Sequence, residues 1–484
     1  METGRGLGLS VESRTVEIAR AATSLMEQLK SASLDSLRRA FQCDPEFPEV
    51  LHALIVLFES RRESASAEAL EDINRAYSLV SELHWDDDVD EKEWMLARLA
   101  FFAWNQGRLL QDYPAIEAWL RRCSEHNLAQ EHVRNFLAIP FRDRSNELTG
   151  RYLADESVLL TLLYQLDTER SGRFANVDQE SAALYEWIVS AARQAGQPTE
   201  LVDYLSASVA LFTVGTKLSM QHLDNVEVWF HRIEVHLRGC RGPAPLAALL
   251  EQRRLTKLYL DSSHSAVVSR IDPLITRFEE LRMTENAVKA HFLKGVALRE
   301  VGELEGAWQA FGEVRRRSCG GNYLSLEALA VGNSAQILGL QGRFQEALQL
   351  AGEAFKLAER SRSALCVGLA QGTVAELLRD HGDFEAAIKA YSACVISYES
   401  SGFYGFGAYT RVLAAETLLL AGQPREAASY ILSALPMIER YCLTQEAVAA
   451  VGILREAVEQ QQADPEALRQ LCEQLQLMRE HGKL

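Results

Sequence analysis

Apolar residues recur at helical spacing along nearly the whole chain. In residues 368–380, Leu369, Val374, Leu377 and Leu378 form an apolar stripe that no proline interrupts. Such a stripe is typical of one face of an α-helix. Similar stripes lie in seven further segments: 11–30, 46–61, 66–83, 155–167, 178–195, 199–218 and 222–237. Because no convincing alternation of apolar and polar residues separates them, the sequence predicts an all-α protein.

The C-terminal half repeats itself at a fixed period of 40 residues. Four evenly spaced glycines define the period: Gly302, Gly342, Gly382 and Gly422. A small residue stands seven positions before each: Gly295, Ala335, Ala375 and Ala415. An alanine stands five positions after each: Ala307, Ala347, Ala387 and Ala427. Agreement at four consecutive copies indicates a structural repeat.

Each copy is predicted to be a pair of antiparallel helices. The glycine can adopt the left-handed conformation that ends the first helix, and Asp383 can cap the helix that follows Gly382. Small side chains at positions such as Ala375 and Ala387 let the two backbones approach closely, while Tyr391 fills the space toward the next copy. One hairpin cannot bury both of its apolar faces, so the copies must stack.

Residues 288–441 resemble the tetratricopeptide repeat. Gly295, Gly302, Ala307 and Phe311 match its small residue, turn glycine, early alanine and following aromatic residue. The copies are longer than the family's repeat of about 34 residues, they lack the early tryptophan, and they have few helix-ending prolines. The resemblance implies an α-solenoid of antiparallel helix hairpins that binds a partner. The long period is also similar to that of sensor regions in some bacterial transcriptional regulators and peptide-pheromone receptors.

Three regions are expected: an N-terminal helical region of degenerate repeats (1–150), middle hairpins (151–240), and the regular solenoid (244–484) with a polar capping helix at 465–481. The proposed breaks are the polar segments at 141–151 and 168–178 and the segment at 238–245, which is the clearest of the three. Within 244–283, one hairpin is predicted to turn at Ser262–Ser265. Gly107 is predicted to be a turn glycine, because a small residue precedes it by seven positions.

Composition limits the classes of partner. The net charge is −17, and residues 1–283 hold 31 basic and 43 acidic side chains. An acidic surface disfavours nucleic acid and favours a partner with a basic surface, although a solvated face explains the charge equally well. No apolar run is long enough to span a membrane. The eight scattered cysteines, none in a C-x-x-C pair, favour reduced thiols and a cytoplasmic location.

Motifs for catalysis and metal binding are absent or imperfect. Phosphate-binding and nucleophile-elbow motifs do not occur. His231 and His236 are separated by five positions, and His126 and His132 by six, so neither pair matches the spacing of a helical zinc site. Residues 86–97 have Glu91 and Ala97 where a calcium loop needs glycine and glutamate, which favours an acidic helix start. We therefore expect no enzyme activity, no metal and no cofactor.

Recognition by a surface is the remaining function. The first helices of the hairpins would line a groove whose candidate partner-binding residues are Lys289, Phe292, Arg299, Asn333, Gln336, Glu376, Arg379, Tyr409 and Glu416. The leading hypothesis is a non-enzymatic scaffold or adaptor that holds a protein or peptide segment in this concave face, within a regulatory or assembly complex. The alternative is a regulatory sensor in which a peptide or small molecule changes the pitch of the solenoid. The arginines and Asn333 could bind a peptide backbone or a carboxylate.

Overall fold

A computed structural model describes residues 11–41, 47–60, 66–83, 89–125, 199–219, 225–318, 323–400, 403–440, 449–450 and 452–453. Within those ranges all regular secondary structure is α-helical, as the sequence predicts. The chain divides into two compact units. The first comprises Met1–Arg254 with Arg277–Met283, and the second Leu255–Thr276 with Thr284–Leu484.

Eight described helices precede residue 240: α1 (Val11–Ser31), α2 (Leu34–Phe41), α3 (Phe47–Ser60), α4 (Ala67–Glu82), α5 (Val89–Leu110), α6 (Tyr113–Glu125), α7 (Thr199–Ser219) and α8 (Val226–Gly239). The next two helices are α9 (Ala244–Leu260) and α10 (His264–Glu280), joined by a turn at residues 261–263, so the predicted turn residues His264 and Ser265 belong to α10 instead. The remaining eight form the regular repeats: α11 (Thr284–Glu300), α12 (Leu304–Ser318), α13 (Leu324–Leu340), α14 (Phe344–Ser361), α15 (Ala364–Asp380), α16 (Phe384–Ser400), α17 (Tyr404–Leu420) and α18 (Pro424–Arg440). We call the first helix of each regular hairpin its A helix and the second its B helix.

The four periodic glycines occupy the corners between A and B helices, as predicted. Their φ angles are 83°, 74°, 88° and 72°, in the region that favours glycine. Each corner makes the same two backbone hydrogen bonds. At Gly382 the glycine N–H donates to the carbonyl of Arg379, and the N–H of Asp383 donates to that of Leu378. This pairing is a Schellman motif, which satisfies carbonyls at the end of the A helix.

The small residues of the repeat lie where A and B helices touch. Seven of the eight predicted positions are alanines with no exposed surface, and the eighth, Gly295, is buried. A Cβ atom added to Gly295 would lie 2.5 Å from the ring of Phe311 on the facing B helix. That separation is shorter than any carbon–carbon contact, so the packing of α11 on α12 requires glycine here.

Successive hairpins share their cores. Tyr391 of α16 packs with Ala375, Ala387 and Ala414, the last of which belongs to the next A helix. Successive A helices also contact each other, α11 with α13 and α13 with α15. The regular repeats therefore form a tetratricopeptide-like α-solenoid of stacked antiparallel hairpins, which confirms the predicted fold class.

The prediction for Gly107 is wrong. Gly107 lies inside α5, where an added Cβ would meet the Ala115 side chain of α6 at 3.1 Å. The corner between α5 and α6 is formed by Gln111, whose φ is 57°. A glutamine can adopt this conformation at some cost, so the corner carries no glycine signal.

Several predictions concern residues outside the described ranges. The breaks at 141–151 and 168–178, the capping helix at 465–481, His126 and His132 all lie there, as does most of the proposed middle region. The division into 1–150, 151–240 and 244–484 therefore stays a prediction.

Replacing Gly295 with alanine is expected to lower the free energy of unfolding by about 1–3 kcal/mol, because the new methyl group overlaps the buried Phe311 ring. Gly312 of the facing helix is the matched control, since nothing lies within 4 Å of a Cβ added there. Gly312→Ala should stabilise the chain by about 0.5–1 kcal/mol through helix propensity. Urea titration of both variants measures the difference, and equal effects would contradict the packing argument.

Ala387→Leu is expected to cost about 1–3 kcal/mol of unfolding free energy, because Ala387 is fully buried between Ala375 and Tyr391. Lys389→Leu is the control. It introduces a leucine two positions later on the same helix, at a lysine whose side chain is 75% exposed. This control should change stability by no more than about 0.5 kcal/mol. A thermal shift of the same size in both variants would show that the site is not tightly packed.

Candidate functional site: a polar network on the A helices

Polar side chains of successive A helices form a continuous network. Arg299 of α11 donates hydrogen bonds to Oδ1 of Asn333, at 2.7 Å, and to Oε1 of Gln336, both on α13. Nε2 of Gln336 donates to Oε2 of Glu376 on α15, at 2.6 Å. The network thus links three hairpins through side chains alone.

The network continues toward the fourth hairpin through Arg379. One terminal nitrogen of its guanidinium lies 3.7 Å from Oε2 of Glu416 on α17. The Nε of Arg379 donates to Oδ1 of Asp380, at 3.0 Å. We define the A-helix network as six residues: Arg299, Asn333, Gln336, Glu376, Arg379 and Glu416. All six are predicted groove residues, and the structure brings them together.

The repeat explains why these side chains meet. Gln336, Glu376 and Glu416 are separated by one repeat period each and occupy equivalent positions on three A helices. Because the A helices stack side by side, equivalent positions form a row across the hairpins. Arg299 and Arg379 are separated by two periods and occupy one position in alternate hairpins. Cations and acceptors therefore lie within reach of each other.

Burial makes Glu376 unusual among the carboxylates. Desolvation raises the pKa of Glu376, although the hydrogen bond from Gln336 and the positive charges of Arg379 and Arg299 oppose the shift. Asp380 raises the pKa further. The ionised carboxylate of Glu376 is therefore held at a cost in stability, which its hydrogen bond and the two cations offset only in part.

The network and its immediate neighbours carry more acid than base. Arg299 and Arg379 are the cations, and Glu300, Glu376, Asp380 and Glu416 are the carboxylates. Both guanidinium groups already donate to acceptors within the chain. Arg379 donates to Asp380, and Arg299 donates to Glu300, at 2.6 Å, as well as to Asn333 and Gln336. A carboxylate ligand would have to displace these acceptors, so the geometry favours a ligand that is not anionic.

The three other predicted groove residues lie outside the network. Lys289 pairs with Glu285 on its own helix. Phe292 is half-buried against Phe311, with ring centroids 5.8 Å apart, and so belongs largely to the core of its hairpin. Tyr409 is 44% exposed on α17 and is the exposed aromatic residue of the set.

Sequence reasoning missed three residues beside the network. Glu300 and Asp380 directly follow the two arginines and bind them, and the recurrence of an Arg–acid pair after two periods was the available signal. The third is Tyr391, for which the sequence predicts only a packing role. Its side chain is fully buried, and its hydroxyl has no hydrogen-bond partner among the described residues. Nothing in the sequence indicates how deep this hydroxyl lies.

Outside the network, the side chains of His236, Cys240 and Cys394 could carry chemistry, but each is paired with another residue or buried. Nδ1 of His236 lies 2.9 Å from Oδ1 of Asp203, and both side chains are largely buried. Burial raises the pKa of the Cys240 thiol to about 12 and that of Cys394 to about 11, so both thiols are protonated at neutral pH. In the part of the chain that the structure describes, no cluster of three or more His, Cys, Asp or Glu side chains could hold a metal ion.

No family model and no curated protein matches the chain. Solved structures resemble it in helical architecture. A Rap protein complexed with Competence and Sporulation Factor is 12% identical over 67% of this chain and 94% of its own, with a TM-score of 0.47. Aspartyl phosphate phosphatase F from Bacillus subtilis is 14% identical over 77% and 92%, with a TM-score of 0.43. Yeast Tom70 is 12% identical over 96% and 100%, with a TM-score of 0.38.

A membrane span requires a helix that is both long and apolar. Among the described residues, no helix combines the length and the apolar character that crossing a bilayer needs.

Glu376→Gln is expected to be at least as stable as the parent chain at pH 7.5. The amide removes a partly buried charge, and its oxygen can still accept from Gln336. Because the pKa of Glu376 is raised on folding, the ionised group lowers stability above that pKa and ceases to do so as the pH falls toward about 4. The advantage of the variant should therefore shrink in thermal unfolding measured from pH 7.5 to 4.

Glu346→Gln is the matched control on α14. The hydrogen bond from Arg343 lowers the pKa of this exposed carboxylate, whereas the pKa of Glu376 is raised. Ionisation of Glu346 therefore favours the folded chain, and ionisation of Glu376 disfavours it. Removing the charge of Glu346 should leave stability at pH 7.5 unchanged or slightly reduced. If Glu376→Gln behaves like Glu346→Gln, the carboxylate of Glu376 is not destabilised by burial.

Proposed function

We propose that this protein is a non-enzymatic scaffold or adaptor that binds a protein or peptide segment on the surface of its A helices, within a regulatory or assembly complex. The A-helix network supports this proposal most strongly. It places side-chain hydrogen-bonding groups across four successive hairpins, and an extended segment lying across the A helices would contact several of them.

Exposed groups next to the network support the same surface. Tyr409 and Glu416 are separated by seven positions on α17, which puts both on one face of that helix. Tyr409 is 44% exposed and the side chain of Glu416 is 56% exposed. An aromatic side chain beside hydrogen-bonding groups is a common composition for the centre of an interface.

A regulatory sensor is the alternative, and one observation favours it. Arg299, Gln336 and Glu376 bond across hairpins. A peptide or small molecule that took over one of these partners would change how neighbouring A helices are held together. Such a ligand would shift the pitch of the repeats only as far as its affinity differs between the two arrangements.

Site-specific photo-crosslinking tests the proposal. A photoreactive residue at Tyr409, on an A helix, is expected to capture a polypeptide in a lysate of the producing cells. The same residue at Ile396, which is 68% exposed on the B helix α16, serves as the control and should capture none. Equal capture at both positions would move the binding surface away from the A helices. Native mass spectrometry that finds a bound metabolite instead of a polypeptide would favour the sensor.

A further inference from the structure

The third and fourth hairpins hold an excess of negative charge. The carboxylates of Glu376, Asp380 and Glu416 all interact with the single guanidinium of Arg379. Asp380 is hydrogen-bonded to it at 3.0 Å, while Glu416 lies 3.7 Å away. Arg299 is a second cation within reach of Glu376, but it also binds Glu300, so two cations face four carboxylates. This end of the A-helix network therefore attracts a further positive charge.

Glu416 is the carboxylate that can accept that charge. Its 3.7 Å separation from Arg379 exceeds hydrogen-bonding distance, and its side chain is 56% exposed. Tyr409 precedes it by seven positions and Leu420, which is 60% exposed, follows it by four. The three side chains share one face of α17, where the acid lies between two apolar groups.

A second observation concerns a buried polar group beside these carboxylates. Tyr391 is fully buried, and its hydroxyl has no hydrogen-bond partner in the described ranges. The hydroxyl lies within electrostatic reach of Arg379, Glu376 and Tyr409. A buried hydroxyl that is left unpaired lowers stability. Because the hydroxyl is shielded from solvent, it gains a partner only when the side chains that cover it move.

We propose that this end of the A-helix network binds a peptide segment that carries a lysine or arginine side chain beside an apolar side chain. The cation pairs with Glu416, the apolar side chain packs on Tyr409 or Leu420, and the hydroxyl of Tyr391 forms a hydrogen bond with the bound segment. This inference rests on the proposed function, because it needs a polypeptide on the A helices, and it adds the chemistry of that polypeptide.

An array of random short peptides, probed with the full chain, tests the inference without a known partner. Bound sequences should be enriched in Lys or Arg next to an apolar residue. For a labelled peptide taken from the array, fluorescence anisotropy should show affinity about tenfold lower for Glu416→Lys. Tyr391→Phe should weaken binding about threefold while leaving thermal stability equal or higher, because it removes an unpaired hydroxyl.

Glu426→Lys is the matched control. Glu426 is exposed on the B helix of the same hairpin, and the change in net charge equals that of Glu416→Lys. It should leave affinity within about twofold of the parent chain, since charge acts there only at long range.

The inference would be overturned by selection of acidic or uncharged peptides, by equal effects of Glu416→Lys and Glu426→Lys, or by unchanged affinity in Tyr391→Phe. The proposed function would survive each of these if cross-links still form from position 409. An array that binds nothing likewise overturns the inference. Together with a lack of cross-links from position 409, it would overturn the proposed function as well.

Discussion

Each hairpin depends on the close approach of two helix backbones. Fully buried alanines and a buried glycine occupy the contacts. Large side chains then fill the space between hairpins, as Tyr391 does against Ala414 of the next A helix. A single hairpin cannot bury both of its apolar faces, so the hairpins must stack on each other. The four glycine corners complete the arrangement by ending each A helix after a fixed length.

Regular stacking converts a spacing in the sequence into a row on the surface. Gln336, Glu376 and Glu416 are far apart along the chain, yet they occupy one position on neighbouring A helices. Side chains in such a row can bond to each other, as Gln336 does to Glu376. They can also lie side by side as unbalanced charges, as around Arg379. The binding surface we propose is therefore a direct consequence of the packing.

The fixed period from Gly302 to Gly422 was sufficient to predict the hairpins, their corners and the alanine contacts. Glycine leaves a readable signal because few other residues adopt a positive φ. Where Gln111, Ser262 and Arg282 adopt it, the signal is lost, and the corner after α5 was misplaced. At the candidate site, the repeat register predicted that Gln336, Glu376 and Glu416 occupy equivalent positions on successive A helices. It could not predict that Arg299 binds Asn333 and Gln336, because such pairing depends on side-chain rotamers and on the distance between helices.

The repeat also supplies its own comparison for the polar residues of the third hairpin. Phe311 stands two periods before Tyr391, and Val296 stands two periods before Glu376. Both are buried in the core of the first hairpin, so the fold accepts apolar side chains at these positions. In the third hairpin the same positions carry an unpaired hydroxyl and a carboxylate whose pKa is raised by burial. Both lower stability, and packing does not require either. Departures from the optimum for stability concentrate at functional sites, and these two residues of the third hairpin are such departures.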